Sequence, residues 1–305
     1  MKRMIYTALL ALSTGLTARA QGWVDQEAIF PIVETQVGSI NTVEKASWTV
    51  YEYNDNKPND KKGQWSELMS YIDSLPGFHT GSRRYIIEMT NRVTGDNMKK
   101  GRKLILPTSF PEDFRAYSPY PYKYEAAVAM PKLLVIDKYT QTFGAYENGE
   151  LIRWGLVSTG RENNLTPPGR YNFNWKDEYR LSNAAPPGET WELNWAFNID
   201  AAVGIHVHQY ALPIASPASH GCIRMSEADA KWNFNWANGW QKGETGKLTR
   251  NGTPVMVIND NPVGRPAHWE LSGDNVVSLV RLPDDPNALP NGSYAQKASK
   301  WESGW

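Results

Sequence analysis

The chain has 305 residues, of which 41% are hydrophobic, and its 32 basic and 32 acidic residues balance to a formal net charge of +0. This is the composition of a globular protein, and the balance lacks the basic excess of a nucleic-acid-binding protein. The length allows about two domains on a prior of roughly 100–200 residues each.

The first 20 residues have the pattern of an export signal. Lys2-Arg3 precedes an apolar run from Met4 to Leu12, and Ala18-Arg19-Ala20 supplies a small-x-small cleavage pattern. The alternative is an N-terminal core helix. The run is too short to span a bilayer, and we find no longer one elsewhere. We therefore predict a signal peptide at 1–20 and a mature chain without a membrane span in the periplasm or cell envelope.

Residues 21–109 are predicted to form a small α/β N-terminal region. One helix is expected around Trp65–Leu75 and a second around Ser82–Thr94, followed by a short strand that ends at Pro107. The segment 65–107 is predicted to be LysM-like, because its end, Ile86–Pro107, resembles the second half of a LysM repeat, although the first half is not recognisable. An ordinary helix-turn-strand is the alternative.

Residues 110–129 are predicted to be a linker, because prolines and tyrosines alternate there. Proline removes backbone donors and favours extended chain, so neither a helix nor a central strand is expected. The tyrosine rings either line a substrate groove or pack along a domain surface.

Residues 130–260 have the pattern of a mostly β domain with one main helix. Asn148-Gly149 indicates a hairpin turn, and Ser226 is expected to cap a helix that runs to Trp240. The Pro- and Gly-containing loop Arg180–Glu192 is either a lid over the site or a surface loop. Residues 261–305 form a C-terminal extension with one short strand at Val276–Leu282. The other strands are predicted at 133–136, 141–146, 151–158, 170–175, 195–199, 204–208 and 254–258.

Cys222 is the only cysteine of the chain, and it lies in Ser219-His220-Gly221-Cys222-Ile223-Arg224-Met225. A lone thiol cannot form an internal disulfide, so it is a buried apolar residue, a metal ligand or a nucleophile. A free thiol titrates near about 8.5, so a nucleophile needs a base beside it. Gly221 lets the chain approach a substrate closely, and the N–H groups of residues 221–223 are candidate donors to an oxyanion.

Three of the five histidines lie in the stretch that leads to this thiol. His206 precedes Cys222 by 16 residues, and His208 by 14. Because side chains alternate along a strand, Val207 points away from the face that both histidines share, so both can point toward the thiol. With His220, they predict nucleophilic catalysis by a cysteine with a histidine base.

These residues resemble the signature of the L,D-transpeptidases, which have a YkuD-type catalytic domain. The resemblance lies in Ile205-His206, in the 16-residue interval and in the motif Ser219–Met225. Val157–Gly160 and Thr166–Gly169 are similar to the S-T-G and T-P-x-G segments of that family. Asp229-Ala230 and Gly252–Val255 are similar to its later helix and closing strand. The similarity covers residues 130–260.

The resemblance implies a β-sandwich-like fold that uses no metal or other cofactor. It implies acyl transfer on peptidoglycan stem peptides, in which a thioester forms, the terminal D-Ala leaves and a second stem's amine makes a 3-3 cross-link. The sequence departs from the family pattern directly after His206, where Gly or Ser is common but Val207 stands, followed by His208. A second histidine is therefore available, and His208 competes with His206 for the role of base. By position the implied roles are nucleophile for Cys222, general base for His206, support for His220, oxyanion hole for Gly221 with Cys222, and substrate binding for Arg224, Ser219 and His208.

Two other classes of function remain open. His206, His208, His220 and Cys222 are all residue types that bind zinc, but a zinc site would leave Gly221 and the similar flanking segments unexplained. A non-enzymatic cell-wall-binding protein is the second alternative, and it also fits as an accessory role of residues 21–109. Within the enzyme class, an L,D-carboxypeptidase or another cysteine-dependent murein hydrolase or exchange enzyme is the alternative.

Overall fold

The computed structural model describes residues 22–53, 61–262, 280–290 and 292. The segment assigned to the signal peptide and residues 276–279 of the last predicted strand lie outside these ranges. The α-helices are α1 (Gln26–Val33), α2 (Lys61–Ser74), α3 (Arg83–Asn91) and α4 (Glu227–Trp236). The strands are β1 (Trp48–Tyr53), β2 (Arg102–Pro107), β3 (Leu133–Asp137), β4 (Thr142–Glu147), β5 (Glu150–Ser158), β6 (Gly169–Asn172), β7 (Lys176–Leu181), β8 (Glu192–Asp200), β9 (Ile205–Gln209), β10 (Ile223–Met225), β11 (Gln241–Lys242), β12 (Leu248–Arg250) and β13 (Pro254–Ile258).

A nine-stranded sheet dominates the structure, with the order β6-β13-β3-β4-β5-β10-β9-β8-β7. The pairs β13–β3 and β10–β9 are parallel, and the other neighbours are antiparallel. The mostly β fold with one main helix, beside a small α/β N-terminal region, is therefore as predicted.

The central strands are apolar on both faces because the sheet separates two cores. In β3, Leu133 and Val135 point into one hydrophobic cluster, whereas Leu134 and Ile136 point into the other. Strand β13 alternates in the same way. A strand that is covered on both sides has a continuous apolar run rather than an alternating one.

The first of these cores joins the N-terminal residues to the sheet. Residues of α1 and α3 share it with β3 and β5. The proline- and tyrosine-rich segment runs through it, and Phe114 stacks on Trp154 with 4.5 Å between ring centroids. Tyr117 and Tyr120 are buried there and do not line the cavity described below. The division into N-terminal region, linker and catalytic domain stays a prediction.

Strands β1 and β2 pair antiparallel, and α3 packs on β2. The buried Asn91 side chain, on the last residue of α3, joins the two elements. Its Nδ2 donates to the Ile105 carbonyl at 2.9 Å, and its Oδ1 accepts from the Ile105 N–H at 2.7 Å. This explains why an asparagine ends the helix before the strand. The LysM-like assignment stays a prediction.

Helix α4 is fixed by a buried charge cluster. Ser226 caps it by accepting from the Asp229 N–H at 3.2 Å, and the Asp229 carboxylate accepts from Arg153 Nε of β5 at 2.9 Å. Arg153 also contacts Glu34, just after α1, at 2.8 Å. Both members of the central pair are buried, so removal of either one would leave an uncompensated buried charge between α4 and the sheet.

Three sequence-based element predictions were wrong in detail. Helix α4 ends at Trp236 rather than Trp240, because Ala237 is extended and the Asn238 N–H donates to Thr253 Oγ1. The predicted loop Arg180–Glu192 is shorter, since its ends belong to β7 and β8. Residues 280–282 are not a strand, and the Val280 N–H donates instead to the Pro119 carbonyl.

No helix in the described ranges is long and apolar enough to cross a membrane.

Candidate active site

The thiol lies where β10 begins, beside the strand that carries two of the histidines. Strands β10 and β9 pair in parallel, with Ile223 opposite Val207 and Arg224 opposite His208. One residue earlier in this register, Cys222 stands next to His206. Val207 is buried in the second core, so the neighbouring histidines point to the opposite side of the sheet.

That side of the sheet holds a cavity of about 560 Å³. Six of the seven site residues predicted from the sequence line it; Gly221 is not among them. Both histidines of β9 lie at the cavity, as the alternation along the strand predicted. The lining residues are Arg180, Ser182, Asn183, Ala184, Trp191, Leu193, Val203, Gly204, His206, His208, Tyr210, Ser219, His220, Cys222 and Arg224.

The Cys222 thiol is neutral in the resting site. Its Sγ lies 3.7 Å from the Gly204 carbonyl oxygen, to which it donates. Burial raises the pKa of the thiol above its ordinary value. The backbone N–H of His206 and the guanidinium groups of Arg224 and Arg180 lower this pKa, but they offset the effect of burial only in part. The thiol is therefore not a preformed thiolate, and a nucleophilic role for it requires a base that takes its proton.

His206 has both ring nitrogens engaged. Its Nδ1 lies 2.6 Å from the Gly204 carbonyl oxygen, which can only accept, so Nδ1 carries the proton. Its Nε2 accepts from Asn198 Nδ2 at 3.3 Å. Burial, followed by the charge of Arg180, lowers the pKa of His206 to about 4. The imidazole is therefore a neutral base at physiological pH, and the carbonyl that it contacts also contacts the thiol.

Asn198 determines this tautomer. Its Nδ2 also donates to the Asp200 carbonyl at 3.0 Å, and its Oδ1 accepts from Asn174 Nδ2 at 2.7 Å. Both contacts require the amide nitrogen to face His206. Since Asn198 is fully buried, the resting proton of the imidazole is held on Nδ1.

His208 is the second neutral imidazole of the cavity. Its Nδ1 donates to the Gln209 carbonyl at 2.8 Å, which leaves Nε2 as the unprotonated nitrogen. Burial lowers its pKa to about 3. Its ring meets Tyr210 edge-on, with 5.9 Å between centroids. Both candidate bases are thus present, and the choice between them stays a prediction.

The turn that presents the thiol depends on Ser219, Gly221 and Thr166. The Gly221 N–H donates to Ser219 Oγ at 3.1 Å, and Thr166 Oγ1 donates to the Gly221 carbonyl at 2.8 Å. Gly221 has a φ of +112°, which favours glycine. Its N–H is already bonded to Ser219, so an oxyanion would compete with that hydroxyl. The oxyanion-hole role of Gly221 stays a prediction, as does substrate binding by Ser219.

His220 and Arg224 lie at the rim. His220 is exposed, its Nε2 accepts from an Arg161 guanidinium N–H, and its ring packs on Trp191 with 4.7 Å between centroids. Slight burial and the charge of Arg161 lower its pKa. Arg224 lies over the Tyr210 ring at 4.6 Å and makes long contacts to two backbone carbonyls. The supporting role of His220 and the substrate-binding role of Arg224 both stay predictions.

The sequence reasoning did not find Asn198, Gly204, Arg180 or Trp191 as site residues. Gly204 could have been noticed, because it directly precedes Ile205-His206. Arg180 lies on β7, Trp191 on the connection that follows it and Asn198 on β8. The sequence marked the segment Arg180–Glu192 as a candidate lid, but it singled out neither Arg180 nor Trp191, and nothing in it marked Asn198.

The described residues contain no group of three or more His, Cys, Asp or Glu side chains that could hold a metal ion.

We expect the alkylation of Cys222 by iodoacetamide to accelerate about tenfold per pH unit from pH 6 to pH 8, without a plateau. Only the thiolate reacts, and a raised pKa keeps the thiolate fraction far below saturation over this range. The rate is followed by intact mass, with N-acetylcysteine as the reference and Cys222→Ser as the blank. A rate independent of pH in this window would show an ion pair and contradict the neutral resting thiol.

Comparison with known proteins agrees with the motif. Residues 131–257 match the family model of the L,D-transpeptidase catalytic domain, YkuD. No match was found among curated proteins.

Among solved structures, an L,D-transpeptidase from Mycobacterium smegmatis is 22% identical with a TM-score of 0.35, over 42% of this chain and 59% of its own. An L,D-transpeptidase from Stackebrandtia nassauensis is 17% identical with a TM-score of 0.40, over 72% of this chain and 98% of its own. The catalytic domain of the E. faecium L,D-transpeptidase is 22% identical with a TM-score of 0.32, over 42% and 96%.

The chain spans 59% of the length of the first mycobacterial structures that it matches. The match to the family model is specific to the segment that holds the thiol and its histidines. Residues 131–257 therefore match the YkuD-type L,D-transpeptidase catalytic domain, the family that the cysteine motif resembles.

Proposed function

We propose that this protein is a peptidoglycan L,D-transpeptidase that forms 3-3 cross-links through a thioester on Cys222. The observation that supports this best is the chain's single thiol in a cavity with two neutral histidines. The acyl donor is a tetrapeptide stem, and the acceptor is the side-chain amine of a second stem. The protein acts after export, in the periplasm or cell envelope, and needs no cofactor.

In the first half-reaction, Cys222 Sγ attacks the carbonyl carbon of the third stem residue while a histidine takes the thiol proton. His206 is the proposed base, because Gly204 brings its ring and the thiol to the same carbonyl. In the resting site its Nδ1 carries a proton and its Nε2 accepts from Asn198, so the thiol proton goes to Nε2 once Asn198 releases that nitrogen. The N–H of Cys222, with that of Gly221 when Ser219 releases it, donates to the oxyanion. The C–N bond to D-Ala then breaks, and the departing amine takes the proton from the imidazole.

In the second half-reaction, an amine replaces the thiol. The same imidazole accepts a proton from the incoming amine as the amine nitrogen bonds to the thioester carbonyl carbon. The C–S bond breaks, and the departing sulfur takes the proton from the imidazole, which restores the neutral thiol. If water takes the place of the amine, the product is a tripeptide and the enzyme is an L,D-carboxypeptidase. His220, Arg224, Ser219 and His208 are proposed to shape or bind the donor in the cavity.

The test is mass spectrometry of the native protein with a disaccharide-tetrapeptide, with and without a second stem as acceptor. We expect loss of D-Ala, a transient thioester on the protein, and a cross-linked dimer when acceptor is present. Tripeptide alone under both conditions would assign the carboxypeptidase alternative. No thioester and no product under either condition would reject both, and binding to sacculi without turnover would support the cell-wall-binding alternative.

A further inference from the structure

Arg180 lies beside the reacting groups although it is far from them in sequence. It is near the end of β7, opposite Leu193 of β8, and it lines the cavity. Its guanidinium lies on the Trp175 ring at 4.5 Å, and Trp175 meets His206 edge-on at 5.0 Å. Its charge lowers the pKa of both Cys222 and His206. Arg180 is therefore close enough to influence both the nucleophile and the proposed base.

The hydrogen-bonding capacity of Arg180 is only partly used. Its one ion pair in the described structure joins Nη1 to Asp177 at 3.3 Å, and that carboxylate is half exposed. Exposed pairs of this kind are weak. The Nε of Arg180 is buried and has no hydrogen-bond partner among the described residues. Buried donors are nearly always paired with protein, ligand or ordered water, so this one can take an acceptor that enters the cavity.

The cavity also has an unbalanced charge. Its described lining includes two arginines and no acidic side chain. The strand order β10, β9, β8, β7 places Arg224 and Arg180 on opposite sides of the histidines. Of the acids nearby, Asp177 is paired with Arg180, and Glu189 accepts from Trp191 Nε1 at 2.8 Å. Asp200 does not line the cavity, and its Oδ1 accepts from the N–H groups of Ala202 and Val203 at 2.9 and 3.3 Å. A concave site with this charge attracts an anionic group.

We propose that Arg180 is a specificity-determining residue that binds the side-chain carboxylate of the third residue of the acyl donor. It then favours donor stems whose third residue carries a free side-chain carboxylate over stems in which that group is an amide. The planar guanidinium suits a carboxylate because it offers parallel donors. The identity of the donor rests on the proposed function; the carboxylate site itself does not.

The carboxylate site can be tested without any stem peptide, because the chain has a single cysteine. The thiolate attacks the iodine-bearing carbon of iodoacetate or of iodoacetamide, a C–S bond forms and iodide leaves. The two reagents differ in that iodoacetate carries a carboxylate, whereas iodoacetamide is neutral. The ratio of their rate constants cancels the thiolate fraction. We expect the native ratio to exceed that of N-acetylcysteine by about tenfold, the range of a charge-assisted hydrogen bond.

Arg180→Gln is expected to lower this ratio about tenfold, Arg180→Lys to keep part of it, and the surface control Arg84→Gln to leave it unchanged. Alkylation by iodoacetamide shows that the thiol of each variant is accessible, and in Arg180→Gln its rate is expected to fall only as far as loss of the guanidinium raises the thiol pKa. A native ratio equal to that of N-acetylcysteine, or one that Arg180→Gln does not change, would overturn the proposal.

Donor stems then test the specificity. The acylation rate with a free third-residue carboxylate is expected to exceed that with the amide by about tenfold in the native protein and by little in Arg180→Gln. Equal rates with both donors in the native protein would overturn the specificity. If neither donor acylates the protein but the native iodoacetate-to-iodoacetamide ratio is raised as expected, the proposed function is rejected and the carboxylate site is retained.

Discussion

Replacing Cys222 by alanine is expected to lower the rate of D-Ala release from a tetrapeptide stem by about 10⁴-fold or more. The thioester route needs the sulfur, and removal of a covalent nucleophile leaves only what binding and the oxyanion donors contribute. D-Ala release is measured by mass spectrometry over hours at high enzyme concentration, and the protein mass is checked for the thioester. The native protein should show both, and the variant neither.

Cys222→Ser is the matched control for this result. It keeps a group of similar size at the turn, but a hydroxyl ionises far less readily than a thiol, and a neutral imidazole with a pKa of about 4 is a weak base for it. We expect the serine variant to remain folded by circular dichroism, to bind stem peptide and to turn over little. Retention of most of the activity in either variant would show that another group attacks the carbonyl and would remove Cys222 from its assigned role.

The strands that the sequence predicted best are those with the strongest physical signal. Strands β3 and β13 are continuous apolar runs because each is buried on both faces between two cores. Strand β10 has three residues and lies inside the cysteine motif, which gives no periodicity to detect. Strand β7 is mostly exposed and polar, so its composition gives no strand signal. It forms because it pairs with β8.

Helix α1 escaped prediction for a different reason. Pro31 lies inside it, and a proline normally ends or interrupts a helical pattern. The helix forms nonetheless, with Asp25 capping its first turn by accepting from the Ala28 N–H at 3.1 Å. Its buried residues Ile29 and Ile32 join the core that the N-terminal residues share with the sheet. Tertiary packing therefore outweighs the local preference here.

The site divides in the same way between local and distant contributions. Cys222, His206 and Gly221 could be predicted from the sequence, because catalysis by a cysteine imposes residue types and a spacing that fall within one short stretch. The residues that set the protonation state of His206 could not be predicted, because Asn198 and Arg180 reach the site only through the pairing of β7, β8 and β9. A pKa near 4 for His206 is a property of burial and neighbouring charge, neither of which has a sequence pattern.

His206→Gln is expected to lower the acylation rate of Cys222 by about 10²- to 10⁴-fold, the usual contribution of a general base. His208→Gln should lower it much less. The register of β9 and β10 sets His206 beside Cys222, whereas His208 stands beside Arg224, two residues further along. The measurement is the thioester formation rate with a tetrapeptide donor, with alkylation by iodoacetamide showing that the thiol of each variant is accessible.

The pH dependence distinguishes a base from a structural histidine. A base must be neutral, and because the pKa of His206 is lowered to about 4, acylation should persist well below the ordinary histidine value of about 6.5. The fall in rate at acid pH should disappear in His206→Gln and remain in His208→Gln. The opposite pattern would make His208, which lines the cavity and has an unprotonated Nε2, the base, and it would leave His206 with the structural role of holding Gly204 and the thiol in place.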